Sequence, residues 1–343
     1  MKDLKSRCAE TNILRNSELY PPFPSKNLLI EVTNACNLKC IFCANRKMTR
    51  KRQFISPDTV KKVLTEAYAL GTREVGFYST GEPLLCKQLP LYISLAKKIG
   101  FDYVYITTNG ILASTDIVEN LANCGMDSIK FSINAIDPKS YLFIHGYDYY
   151  DAVMEHLIQT YKLRQDNDYT YKIFVSYIAT KYTFESIEAI RNHFIKYCDD
   201  VVVLNTINQS GLTPEVGHLL RCDSNNFSVN IELATPCNLL FNSINVTSEG
   251  YLTACCADFQ NYLVYADLNK TSLKEAWHND TIVDFRKKHI EGDVCGSLCD
   301  NCINNLLSAP APLNKDVSTP FSEHSMFSEA HTLERINQYI SEA

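Results

Sequence analysis

No stretch of this 343-residue chain approaches the roughly 20 consecutive apolar residues that a membrane span needs. Its first residues, MKDLKSRCAETN, lack the apolar core of a secretion signal. Both absences predict a protein of the cytosol with no membrane partner. Basic clusters are equally scarce. Beyond the short Arg46 to Arg52 stretch no run of Lys and Arg appears, and the formal net charge is −6 with a pI near 5.8. A phosphate-backbone partner is therefore disfavoured, so no nucleic acid is expected. Internal repeats of the solenoid type are missing as well.

Cysteine, by contrast, is plentiful, with 14 residues. A disulfide framework does not suit a long chain without a secretion signal in a reducing compartment, so metal ligation is the better reading for the clustered ones. The remaining composition, 45% hydrophobic and 21% charged, is ordinary for a globular protein and allows a catalytic domain with a smaller appendage.

From Asn27 to about Asn205 short β-rich runs alternate with stretches of helical period, the pattern of a parallel α/β fold. The strands are expected at 28–33, 74–79, 103–108, 128–133, 171–178 and 201–205. The helices are expected at 57–70, 89–99, 116–124, 152–164 and 184–197, the first with Ser56 as N-cap, Pro57 at the first helical position and Gly71 beyond its end. Six such units predict a partial (β/α)6 TIM-like barrel whose strand C-termini open on one face and carry the chemistry. The expected organisation is an N-terminal segment (1–26), the barrel (27–205), a connection (206–236), a small cysteine-rich domain (237–305), and a tail (306–343) with an amphipathic helix near His331 to Ile340.

Directly after the first strand, ACNLKCIFC sets Cys36, Cys40 and Cys43 in a Cys-x3-Cys-x2-Cys array. Three thiolates can hold three irons of a cubane and leave the fourth without a protein ligand, so that an external chelator binds there. A zinc site, or three cysteines that merely pack, would have the same spacing.

Strand, then Cys-x3-Cys-x-aromatic-Cys, resembles the radical S-adenosylmethionine (SAM) superfamily. Phe42 fills the aromatic position, which in that family packs beside the adenine of SAM. Gly81-Glu82-Pro83 is similar to the family's GGE segment with Thr80 in place of the first glycine, and its backbone or Glu82 itself would accept hydrogen bonds from the SAM ammonium. Ser132 and Asn134 match the polar pair that contacts ribose and carboxylate, with Asn where Asp is common. Thr107, Thr108, Asn109 and Gly110 finish the third strand as in relatives, and Asn205 finishes the sixth as a further SAM-site candidate. His145-Gly146 stands where many relatives have Arg-Gly. The resemblance covers roughly residues 27 to 205 and implies a SAM-binding 4Fe-4S cluster that splits SAM to a 5'-deoxyadenosyl radical, which abstracts hydrogen from substrate. Taken singly, Gly-Glu-Pro, Thr-Asn-Gly and Ser-x-Asn are also common turns and caps.

Farther on, Cys237, Gly250 and Cys255 resemble the opening of the SPASM and twitch domains that follow such barrels. The run from Cys255 to Asp258, the helix holding the only tryptophan (Trp277), and Cys299-x2-Cys302 continue the likeness. It implies that Cys237, Cys255, Cys299 and Cys302 ligate a second, auxiliary 4Fe-4S cluster. Cys256 and Cys295 are left over, and Cys256 is a candidate hydrogen donor to a substrate radical. A zinc ribbon would have the same two-pair design. Cys8, Cys86, Cys124, Cys198 and Cys222 are scattered and read as packing or surface thiols.

The function expected is oxidation or epimerisation of a small polar substrate, a sugar, aminocyclitol or sugar nucleotide, with the auxiliary cluster in electron transfer and a flavodoxin- or ferredoxin-type reductant. About 26 residues before the first strand are too few for a winged peptide-binding domain. The alternatives are a peptide or protein maturase that forms thioether or carbon-carbon links, and a zinc-binding structural module.

Overall fold

The computed structural model describes residues 18–210, 213, 217–219, 235–304, 306, 308–317 and 330–341. Cys8, Cys222 and most of the expected connection therefore lie outside the described residues.

Local chemistry sets the elements much as the sequence predicts. Helix α1 (Pro57–Ala69) starts where the Ser56 hydroxyl accepts a hydrogen bond from the Thr59 amide, with Pro57 at a position whose missing N–H costs nothing. α2 (Leu89–Ile99) stops at Gly100, whose φ of 117° few other residues would adopt. α3 (Thr115–Asn123), α5 (Tyr150–Asp166) and α6 (Ile187–Phe194) fall on expected helices. An additional helix, α4 (Pro138–His145), is capped by Asp137, whose carboxylate accepts from the Ser140 amide.

Six parallel strands, β1 (Leu28–Ile30), β2 (Glu74–Phe77), β3 (Tyr103–Thr108), β4 (Ser128–Ser132), β5 (Lys172–Ala179) and β6 (Asp200–Asn205), lie side by side in sequence order. The sheet does not close: its other end continues into β7 (Ile244–Val246), parallel to β1, and then antiparallel β8 (Tyr251–Thr253) and β9 (Val264–Asp267). The curved sheet is thus a partial barrel, and the cysteine-rich part is joined to it by a strand ladder.

Alternation along the strands separates two faces. Val75, Val104, Ile106, Ile129, Phe131, Ile173 and Val175 are fully buried against the helices in one continuous core. The opposite, concave face holds Tyr78, Tyr105, Lys130 and Ser132, which stay partly exposed. Gly76 is needed there: a Cβ would stand 2.7 Å from the Tyr105 ring and 2.9 Å from the Leu29 side chain.

In the cysteine-rich part, α8 (Leu273–Trp277), after the short α7 (Leu239–Asn242), begins with a capping box between Ser272 and Glu275. It is followed by α9 (Asp280–Glu291) and α10 (Leu298–Asn304), and the chain ends in α11 (Ala330–Ser341), the expected tail helix. Among the described residues no helix is long and apolar enough to cross a membrane.

Candidate active site

Just past β1, Glu31 donates its backbone N–H to Val246 O at 2.8 Å while its side chain meets a buried partner. Its carboxylate pairs with Arg50 at 2.6 Å, accepts from the Ser248 amide at 3.0 Å, and receives the Thr80 hydroxyl. Arg50 also pairs with Glu249. Arg50 and Glu31 are nearly inaccessible, and the attraction of Arg50 keeps Glu31 below the usual carboxylate range against the opposing effect of burial. Thr80, the departure from the GGE pattern, thus belongs to an ion-pair network that fastens the strand ends to the turn between β7 and β8.

The next residues form the loop carrying Cys36, Cys40 and Cys43. Its backbone is held by the last carbonyls of α4: Lys39 N donates to His145 O at 3.2 Å and Ile41 N to Ile144 O at 2.8 Å. From the other side the Gly81 segment presses onto it, where a Cβ would meet Thr33 O at 2.2 Å and Ala35 O at 2.5 Å, so only glycine fits.

Glu82 is 3% exposed and spends its carboxylate on structure. It accepts from Leu84 N at 3.0 Å, Thr108 Oγ1 at 2.7 Å and Asn109 N at 2.7 Å, joining the β2 and β3 ends. Burial raises its pKa to about 7 even though these donors oppose the rise. Asn109 reaches back to the Asn37 side chain at 2.7 Å, so three strand-end loops, around Asn37, Glu82 and Asn109, are laced together.

Asn134, at φ 57°, donates to Ser132 Oγ at 3.2 Å and accepts from Ile178 N at 2.8 Å, binding the β4 and β5 ends. Asn205 ends β6, partly exposed. Pro83 is buried in the turn after Glu82, and Phe42 packs with Ile41, Phe143, Ile144 and Ile336.

The donor set is three buried thiols whose ionisation is opposed first by burial. Burial pushes the Cys36 thiol up to about 11. Burial followed by the neighbouring Cys43 and Cys36 charges lifts Cys40 well above its usual value, and burial also raises Cys43. Arg335 opposes the shift at Cys40, and Arg46 and Arg52 oppose it at Cys43. Three mutually repelling thiols fit a cationic iron-sulfur cluster. Among the described residues no group of three or more His, Cys, Asp and Glu converges on one metal-ion position. His145, which sequence reasoning noted only as a departure, is buried with Nε2 2.6 Å from Ile133 O and Nδ1 3.1 Å from Cys40 Sγ. Nε2 therefore donates and Nδ1 accepts from the thiol; burial lowers the ring pKa to about 4.

The second cysteine group collects at the same end of the sheet. Asp258 shapes its turn by accepting from Thr253 Oγ1 at 2.7 Å, Tyr262 N at 2.8 Å and Leu263 N at 2.8 Å. A shared hydrogen bond raises the Cys255 thiol, with burial adding to it, and lowers that of Cys256. Cys237 lies near enough to raise the pKa of Cys255, Cys299 and Cys302, whereas Cys295 is exposed. Cys256 lies near enough to add to the effect of burial on Cys237 and Cys302, and its carbonyl accepts from Ser79 Oγ at 3.4 Å at the β2 end. Asn208, just past β6, donates to Asn301 O at 3.3 Å and Cys302 O at 3.2 Å, tying α10 to the barrel.

The Glu31–Arg50–Glu249 network escaped sequence reasoning because its members lie 19 and 199 residues apart. Helix α4 left a readable signal in Asp137-Pro138, an N-cap followed by proline.

The family model of the radical SAM superfamily matches residues 30–213, and that of an iron-sulfur cluster-binding domain, SPASM, matches residues 237–303. A probable GTP 3',8-cyclase of Methanothermobacter marburgensis is 32% identical over 130 residues, 38% of this chain and 42% of that relative, so the chain spans less than half of its length. Among solved structures, BtrN in complex with AdoMet and 2-DOIA is similar with a TM-score of 0.53 at 20% identity, covering 84% of this chain and 97% of BtrN. Streptococcus suis SuiB bound to precursor peptide SuiA gives 0.61 at 18% identity, covering 81% of this chain and 68% of SuiB. At these identities the two likenesses show the fold.

Proposed function

Because the chain belongs to the radical SAM superfamily, we propose that Cys36, Cys40 and Cys43 hold its SAM-binding 4Fe-4S cluster and that the concave face of the sheet receives a small polar substrate for oxidation or epimerisation. When bound, such a cluster with one open iron supplies the electron that splits SAM, releasing the 5'-deoxyadenosyl fragment that removes hydrogen from the substrate. The observation that carries the reading is the lacing of the cysteine loop, through Asn37, to the Glu82 and Asn109 loops at the strand C-termini.

This chain's own residues position and shelter. The backbone around Gly81, together with Ser132, Asn134 and Asn205, offers polar groups toward SAM, while Glu82 acts by fixing the loops. Tyr78, Tyr105, Lys130 and Ser132 make the concave face polar, which suits a sugar, aminocyclitol or sugar nucleotide. Cys237, Cys255, Cys299 and Cys302 hold the auxiliary iron-sulfur cluster, which takes part in electron transfer. Cys256, beside the β2 end, is the residue to test as hydrogen donor.

A second reading, a peptide or protein maturase, is supported by the fold likeness to peptide-bound SuiB, which has the higher TM-score of the two structures above. Incubation of the reconstituted protein with dithionite, SAM and deuterated candidates distinguishes the two. Deuterium carried into 5'-deoxyadenosine from a sugar supports the first reading and from a peptide the second; SAM cleavage with no deuterium from any sugar-type compound removes the first.

A further inference from the structure

The outer side of the cysteine loop carries a feature that the reaction itself does not use. Helix α11 lies across it: Ile336 joins Ile41, Phe42, Phe143 and Ile144 in an apolar cluster separate from the main core, and Tyr339 stacks on Phe143 with centroids 4.4 Å apart. Arg335 donates to Lys39 O at 2.8 Å, to Leu142 O at 3.3 Å and to Phe143 O, so one guanidinium clasps the cysteine loop and the last turn of α4. Arg46 closes the other end by donating to Thr332 Oγ1 at 2.8 Å and to Ile41 O at 3.2 Å.

Between α4 and α11 a groove of about 290 Å³ remains. Lys39, Lys139 and Arg335 supply its charge, and Tyr147 and Tyr339 its rings; among the described residues that line it there is no Asp or Glu. The two lysines rest over those rings, Lys39 Nζ 5.7 Å from the Tyr147 centroid and Lys139 Nζ 5.1 Å from that of Tyr339. A cationic hollow on a chain of net charge −6 attracts an acidic partner. The cysteine loop reaches it through Lys39, which precedes Cys40 directly.

We propose that this groove is the docking surface for an acidic one-electron carrier protein, a flavin or iron-sulfur protein whose negative rim meets Lys39, Lys139 and Arg335. The proposal rests on the assignment of Cys36, Cys40 and Cys43 made above. The carrier is oxidised by one electron and the cluster behind the loop is reduced by one, with no bond made or broken. Transfer between proteins falls steeply with distance, so a donor seated over Lys39 and Cys40 has the short route.

The test compares reduction of the reconstituted full chain by photoreduced flavodoxin and by dithionite, each followed as loss of visible absorbance under anaerobic stopped flow. At low salt the Lys39→Glu, Lys139→Glu double variant should react with flavodoxin at least ~10-fold more slowly than wild type, and the wild-type rate should fall as salt is added. Dithionite should bleach both at the same rate. Equal flavodoxin rates at low salt overturn the proposal. Should dithionite bleaching also be lost, the loop has been damaged, and Lys139→Glu alone decides: a ~3-fold or larger slowing with flavodoxin supports the proposal, and an unchanged rate overturns it. Saturable binding of inorganic phosphate together with unchanged flavodoxin rates would make the groove a small-anion site and likewise overturns it. Failure of the underlying assignment is visible separately, as wild-type protein that dithionite does not bleach and that makes no 5'-deoxyadenosine.

Discussion

The two cysteine groups sit at one end of one sheet yet differ in the charge around them. Near Cys36, Cys40 and Cys43 stand three guanidinium groups, Arg46, Arg52 and Arg335, each acting on at least one of the thiols or acted on by it. Among the described residues no cation is an influence on Cys237, Cys255, Cys299 or Cys302, and Asp258 adds negative charge at Cys299. A site ringed by cations tolerates further negative charge, whether an incoming electron or the carboxylate of a ligand; a site without them resists it. The difference teaches that charge brought from outside meets less opposition at the first group than at the second.

The strongest way to break this contrast is to delete the first group. Replacing Cys36, Cys40 and Cys43 together with Ala should abolish 5'-deoxyadenosine formation and lower iron and sulfide by about four each per chain, leaving the auxiliary set intact. Equal loss from both groups, seen by iron and sulfide analysis, would show that they are one site.

Next in size is the network that joins the groups. Arg50→Met leaves Glu31 buried without its counter-charge while Glu249 loses its partner, so urea unfolding should show a loss of about 3–5 kcal/mol. A loss under 1 kcal/mol would mean that the strand ladder alone holds the two parts together.

Glu82 tests the first group by pH. Its folded pKa of about 7 exceeds the ordinary 4.5, so the stabilisation of its neutral form is fully present below about 4.5 and lost as pH rises through about 7. The gap between those values amounts to roughly 3 kcal/mol. Wild type should therefore lose stability relative to Glu82→Gln across that window, whatever the fixed cost of the substitution. A difference that stays flat with pH contradicts the buried, protonatable carboxyl.

Much of this was legible from residues. β3 and α2 were read to the residue because their patterns are uninterrupted and their ends carry Thr-Asn-Gly and Gly100. The expected first strand is three residues longer than β1, since Glu31 keeps a single ladder bond, to Val246 O, and Thr33 bridges Phe54 instead of a sheet neighbour. Strands β7 to β9 were missed because runs of three or four residues carry too little periodicity, and their partner β1 lies more than 200 residues away. For the site, the spacing of Cys36, Cys40 and Cys43 pointed to the loop only together with its place after the first strand and the Gly81 and Asn109 segments. The sequence suggested that the Glu82 side chain could reach SAM; the structure shows it occupied by Thr108, Asn109 and Leu84, a consequence of burial that no motif displays.

A smaller effect sharpens the comparison of charge. Arg335→Gln removes one cation from the first group alone, so its reduction potential should fall by roughly 40 mV, about 1 kcal/mol for one electron, while that of the auxiliary group stays put. Redox titration followed by electron paramagnetic resonance reads both. A shared shift would remove the electrostatic distinction.

The central claim is met most directly by a hyperfine measurement on protein whose auxiliary cysteines, Cys237, Cys255, Cys299 and Cys302, have been replaced. After reduction, SAM labelled isotopically at its amino or carboxylate group is added and electron-nuclear double resonance is recorded. Coupling between the label and the cluster held by Cys36, Cys40 and Cys43 is the predicted result. A spectrum that the labelled compound leaves unchanged would contradict the account.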